Sequence, residues 1–72
     1  MPAIRIQGYL TSTQVLRELK ERGIEISDRT LIRYVKRGFI PGELVRIKRR
    51  GLVNYYYFKP EVVDFLVQEL SV

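Results

Sequence analysis

The placement of glycine and proline constrains this chain more than any other feature. Gly8, Gly23, Gly38 with Pro41, Gly51 and Pro60 divide it into segments none longer than fourteen residues. Each segment is long enough for one short helix or one strand. None approaches the ~20 apolar residues that a bilayer-spanning helix needs. With 72 residues in all, the segments must share one small core, and residues 1–72 read as a single domain. There is no cysteine to supply a disulfide and no histidine to act as a general base or metal ligand. The opening residues, Met1-Pro2-Ala3-Ile4-Arg5, lack the apolar stretch of a signal peptide.

Within these breaks the local patterns alternate. Residues 3–7 read as a short strand. Thr11 and Gln14 have capping-box spacing, and Val15, Leu16 and Leu19 form an apolar stripe, so a first helix is expected at about 12–22, closed by Gly23. Ser27 is a good N-cap and Asp28 suits the positive end of a second helix, which should run to about residue 37 before Gly38. Residues 44–49 and 52–58 read as two strands joined by a tight turn through Gly51. Pro60 suits the start of a last helix whose apolar face holds Val62, Val63, Leu66, Val67 and Leu70. The expected fold is therefore α+β: a short N-terminal strand, two helices, a β-hairpin wing and a C-terminal helix, the order of a small winged helix-turn-helix.

Charge points to a partner. The chain carries a net charge of +5. Residues 27–59 hold nine Lys/Arg and two acids, a local +7, whereas residues 60–72 hold three acids and no base. Such an asymmetry suits a polyanion, with nucleic acid first and an anionic membrane surface second. On a helical wheel that starts at Asp28, Lys36, Arg29, Arg33 and Arg37 fall between about 80° and 180°. Leu31, Tyr34 and Val35 fall between about 240° and 340°, so the helix has one basic and one apolar side. A basic helix of this kind fits the major groove or its phosphates, and Thr30 lies at the edge of the same face. A solvated surface helix would carry a similar pattern, so the second basic element matters. Lys48-Arg49-Arg50 at the hairpin tip has the shape for a minor groove or its flanking phosphates; protection of a strand edge is the plainer explanation.

The run Tyr55-Tyr56-Tyr57 can stack on bases or fill the core. A loop of Arg49-Arg50-Gly51 would pair Ile47 with Val53 and Val45 with Tyr55. Tyr55 and Tyr57 would then face inward, and Tyr56 outward, where its hydroxyl could reach a phosphate. A two-residue loop that sets Ile47 beside Asn54 gives a poorer core.

The chain resembles the DNA-binding domain of MerR-type regulators and the small excisionases of phages and transposons that share its fold. The residues that carry the resemblance are Ser27-Asp28-Arg29-Thr30-Leu31-Ile32-Arg33-Tyr34, Arg37-Gly38-Phe39-Ile40-Pro41, and Tyr56-Tyr57-Phe58 followed by Glu61, Val63 and Leu66. The resemblance covers residues 9–67. Ile32 and Tyr56 stand where the family commonly has arginine. The resemblance implies a winged domain that binds duplex DNA, with neighbouring copies associating on repeated sites. MerR regulators continue into a dimerising helix and an effector domain, whereas this chain ends at Val72, so no small-molecule effector is expected.

The leading expectation is a sequence-specific double-stranded DNA-binding protein, either a small transcriptional regulator or a recombination accessory factor, in the cytoplasm with the nucleoid. Arg29, Thr30, Arg33, Lys36 and Arg37 would act from the second helix, Lys48, Arg49, Arg50 and Tyr56 from the wing, and Arg17 and Lys20 as weaker backbone contacts from the first helix. No catalysis, cofactor, metal or membrane is expected, since no nucleophile–base pair or metal cluster can be assembled from these residues. The second expectation is a protein-interaction adaptor, motivated by Phe65 and the wide apolar arc of the last helix.

Overall fold

The computed structural model describes residues 8–71. The chain forms β1 (Leu10–Thr11), α1 (Ser12–Glu21), α2 (Asp28–Lys36), a 3-10 turn (Gly42–Leu44), β2 (Val45–Arg50), β3 (Val53–Phe58) and α3 (Glu61–Leu70). It is a small α+β fold, three helices on a three-stranded antiparallel sheet of order β1-β3-β2, compatible with a winged-helix layout. The strand expected at residues 3–7 lies outside the described residues.

Local chemistry accounts for the helix boundaries. The Thr11 hydroxyl accepts from the Gln14 amide at 3.3 Å, and the Gln14 side chain accepts from the Thr11 amide at 2.9 Å. Two amides that a helix start leaves free are thus satisfied reciprocally. Ser27 caps α2 with the first half of this arrangement, its hydroxyl accepting from the Thr30 amide at 3.1 Å. Both helices end alike. The Ile24 amide reaches back to the Leu19 carbonyl and the Gly23 amide to that of Lys20; after α2, Phe39 reaches Tyr34 and Gly38 reaches Val35. This is the Schellman arrangement, which needs a left-handed residue just past the helix. Gly23 and Gly38 supply it, at φ +85° and +76°. The hydrophobic contact that accompanies the motif is present too: the Tyr34 and Phe39 rings lie 4.9 Å apart.

The core is Val15 and Leu19 of α1, Leu31 of α2, Ile40, Phe58 of β3, and Val62, Val63 and Leu66 of α3. Phe65, Val67 and Leu70 pack against it half-buried. The apolar arc of α3 therefore closes the core and is not the open docking face that motivated the adaptor expectation. Arg22, at the end of α1, donates to Asp64 of α3 at 2.7 Å and ties these helices at the surface.

The hairpin register differs from the expected one. Val45 pairs with Phe58, Ile47 with Tyr56, Lys48 with Tyr55 and Arg50 with Val53. The turn is the two residues Gly51-Leu52, with φ +60° at Gly51 and no positive φ at Leu52. Glycine first and an ordinary residue second is the pattern of a II′ hairpin turn, whose twist matches that of the strands. The shift relative to the expected pairing is an odd number of residues, so the faces of β3 exchange. Tyr56 and Phe58 share a face with Val45 and Ile47, and Phe58 is wholly buried in the core. Tyr55 and Tyr57 share the other face with Arg46, Lys48 and Arg50. The expectation of Tyr56 outward and Tyr55 inward is thereby reversed: Tyr56 packs half-buried against the core and Tyr55 is exposed. Tyr57 is buried, as expected, but outside the core cluster. The physical reason is that Phe58 has no hydroxyl to satisfy, so it takes the dry position and the tyrosines fall into step.

Candidate nucleic-acid interface

The site is built from α2 outward. Leu31 anchors the helix in the core, which turns the opposite side to solvent. There Arg29, Arg33, Lys36 and Arg37 line one shallow depression of about 520 Å³, with Ile32 among them. All four cations are exposed, while Ile32 is half-buried. Thr30 is half-buried and already engaged: its hydroxyl lies 3.0 Å from that of Ser27. It braces the N-cap and stands apart from the depression lined by the four cations.

A second groove, of about 590 Å³, lies between the first turns of α1, the start of α2 and β3. Arg17, Asp28, Ile32 and the residues from Asn54 to Tyr57 line it, Tyr56 included. Ile32 borders both depressions, so the basic face of α2 and the base of the hairpin adjoin there. Arg17 is thus brought to the site. Lys20 is not: it faces Glu25, 3.9 Å away, near the α1–α2 connector.

The hairpin leaves the core quickly. Its base, Val45 with Tyr56 to Phe58, is buried or half-buried, while every residue from Arg46 to Tyr55 is exposed. Arg46, Lys48 and Arg50 share one face and Arg49 takes the other. The Arg49 Nε donates to the Gly51 carbonyl at 3.1 Å, which draws that guanidinium over the turn.

Among the described residues the ion pairs are Lys20–Glu25 and Arg22–Asp64. None of the cations on α2 or on the hairpin has an acidic partner there. Their charge is not neutralised by an ion pair among the described residues.

Sequence reasoning passed over two residues. Arg46 was legible from strand alternation with Lys48 and Arg50. Ile32 was legible on the wheel near 40°, between Asp28 and Lys36, an apolar position on a polar side. Among the described residues no helix is long and apolar enough to cross a membrane. No family profile, curated protein or solved structure matches the chain.

Proposed function

We propose that this protein binds double-stranded DNA sequence-specifically, as a small transcriptional regulator or a recombination accessory factor acting in the cytoplasm with the nucleoid. In this reading α2 lies in the major groove with Arg29, Arg33, Lys36 and Arg37 toward bases and phosphates. The hairpin lies on the adjacent minor groove or backbone through Lys48, Arg49 and Arg50. Arg17, which lines the adjoining groove, would meet the backbone there, whereas Tyr56 packs against the core and loses the phosphate role expected of it facing outward. The observation that carries the reading is the set of exposed cations on α2 and the hairpin with no ion-pair partner among the described residues. With two acids against nine bases in residues 27–59, that segment supplies too little negative charge to neutralise them. Thr30 and Lys20 move to lesser roles, because one is engaged in the cap and the other faces Glu25.

The test is affinity for duplex DNA as a function of salt. If about five cations neutralise phosphates, log K should fall against log salt with a slope near −4 to −5. Affinity independent of salt, or retention on DNA resin no stronger than on an uncharged matrix, overturns the reading.

A further inference from the structure

Leu52 is 93% exposed, more than any other large apolar residue described. Among the described residues, four of the five exposed large hydrophobic ones are on the hairpin: Ile47, Leu52, Val53 and Tyr55. A single exposed leucine is ordinary. This one stands at the apex of a two-residue turn, between the paired ends Arg50 and Val53, with the Arg49 side chain drawn to the turn's own carbonyl. The second place of a II′ turn has no need of an apolar side chain, and no core lies within reach of this one. The tip is thus apolar at its point and cationic at its shoulders.

We propose that Leu52 is an apolar wedge that the hairpin carries into the DNA minor groove, where it parts a base step. The inference rests on the DNA-binding reading and extends it to a residue that makes no ionic contact. The fit is one of size and charge. Two paired strands lie about 4.8 Å apart axis to axis and, with their van der Waals thickness, are wider than the minor groove of about 6 Å, so only the side chain at the apex enters it. The turn then sends Leu52 between the walls and leaves Lys48, Arg49 and Arg50 at the phosphates that form them. Pyrimidine–purine steps part most easily, so they are the expected target. A membrane is the weaker occupant, because stable anchoring needs far more buried hydrocarbon than one leucine, whereas one side chain is enough to open a base step. A second copy meeting tip to tip would bring two sets of arginines together.

The experiment uses the full chain with short duplexes that carry 2-aminopurine beside TA and CA steps, whose emission rises when the base unstacks. The wild type is expected to raise the emission at saturation. Leu52→Ser should abolish the rise, and Leu52→Phe should keep it. Because unstacking consumes most of what apolar burial yields, Leu52→Ser should bind less than about tenfold more weakly, with an unchanged salt slope. Wild-type binding with no change in emission, or equal emission from Leu52→Ser, overturns the wedge and leaves the DNA-binding reading intact. No salt-dependent binding to any duplex overturns both. Leucine-dependent binding to phosphatidylglycerol–phosphatidylcholine vesicles in place of DNA would assign the tip to a membrane. A Leu52-dependent dimer in free solution would assign it to a second copy. Unfolding curves for each variant separate loss of the wedge from loss of the fold.

Discussion

Arg33 and Arg50 are both exposed and both lack an acidic partner among the described residues, yet the proposed DNA-binding reading gives their elements different tasks. In that reading Arg33 is on the helix face that enters the major groove, where base edges are distinguishable. Arg33→Ala should cost about 1–3 kcal/mol on a selected site and relax specificity. Arg50 is at the hairpin tip, which in the same reading meets phosphates. Arg50→Ala should weaken selected and random DNA alike, with a shallower salt slope. Paired titrations of each variant on the two DNAs check this, and equal losses for Arg33→Ala would reassign it to phosphate. Since neither side chain has an ion pair to lose there, both variants should unfold at the wild-type urea midpoint. Arg29, Arg33 and Lys36 of α2 and Arg37 at its C-cap were legible in the sequence because a helical wheel is a local property. The secondary role of Thr30 was not, because a threonine three residues after a capping serine can face either the cap or the solvent.

At the scale of the element, α1 and α2 begin and end by the same devices, and each ending sets the direction of the next segment. Gly38 turns the chain so that Phe39 returns over Tyr34, and the Phe39 ring meets Phe65 of α3 at 5.8 Å. A side chain at Gly38 would meet no atom within 4 Å, so its cost is that of the backbone at φ +76° alone. Gly38→Ala should therefore destabilise the fold by about 1–2 kcal/mol. Gly42→Ala is the control, since its Cβ also meets open space and Gly42 has no positive φ. Urea denaturation of the pair checks it; equal midpoints would show that the left-handed cap does not limit stability. The hairpin is the element that sequence reasoning placed correctly and paired wrongly. Its strands were visible in Val45-Arg46-Ile47-Lys48 and the aromatic run. The register was not, because Arg49-Arg50-Gly51-Leu52 accepts more than one loop, and each choice yields a plausible face.

For the whole molecule, the proposed function raises the question of how so small a domain could select a site. A single module covers about 600–1,000 Å² of protein surface, thin support for discrimination within a genome. Pairing back to back through α3 would need an open apolar face. Val62, Val63 and Leu66 are instead buried, and Phe65, Val67 and Leu70 pack half-buried against the core. The free protein is therefore expected to be a monomer that fills adjacent sites cooperatively. Sedimentation of the free protein, followed by titration onto one and then two neighbouring sites, checks this. A dimer at micromolar concentration, or independent filling of the two sites, contradicts it.

The sequence by itself determined the breakpoints, both helix caps, both helix endings, the basic face of α2 and the basic tip. Each depends on groups within about five residues of one another, or on charge, which needs no contact. Only the tertiary structure decided which tyrosines face the core. A strand has a period of two, and Tyr55-Tyr56-Tyr57-Phe58 offers a similar apolar face in either phase. The choice fell to Phe58, set opposite Val45 on one side and Leu10 on the other and buried in the core. The place of Leu52 at the tip follows from that same register. The pairing of β1 with β3 and the approach of Arg17 to Tyr55–Tyr57 across the groove join residues far apart in the chain, and no local pattern encodes such contacts.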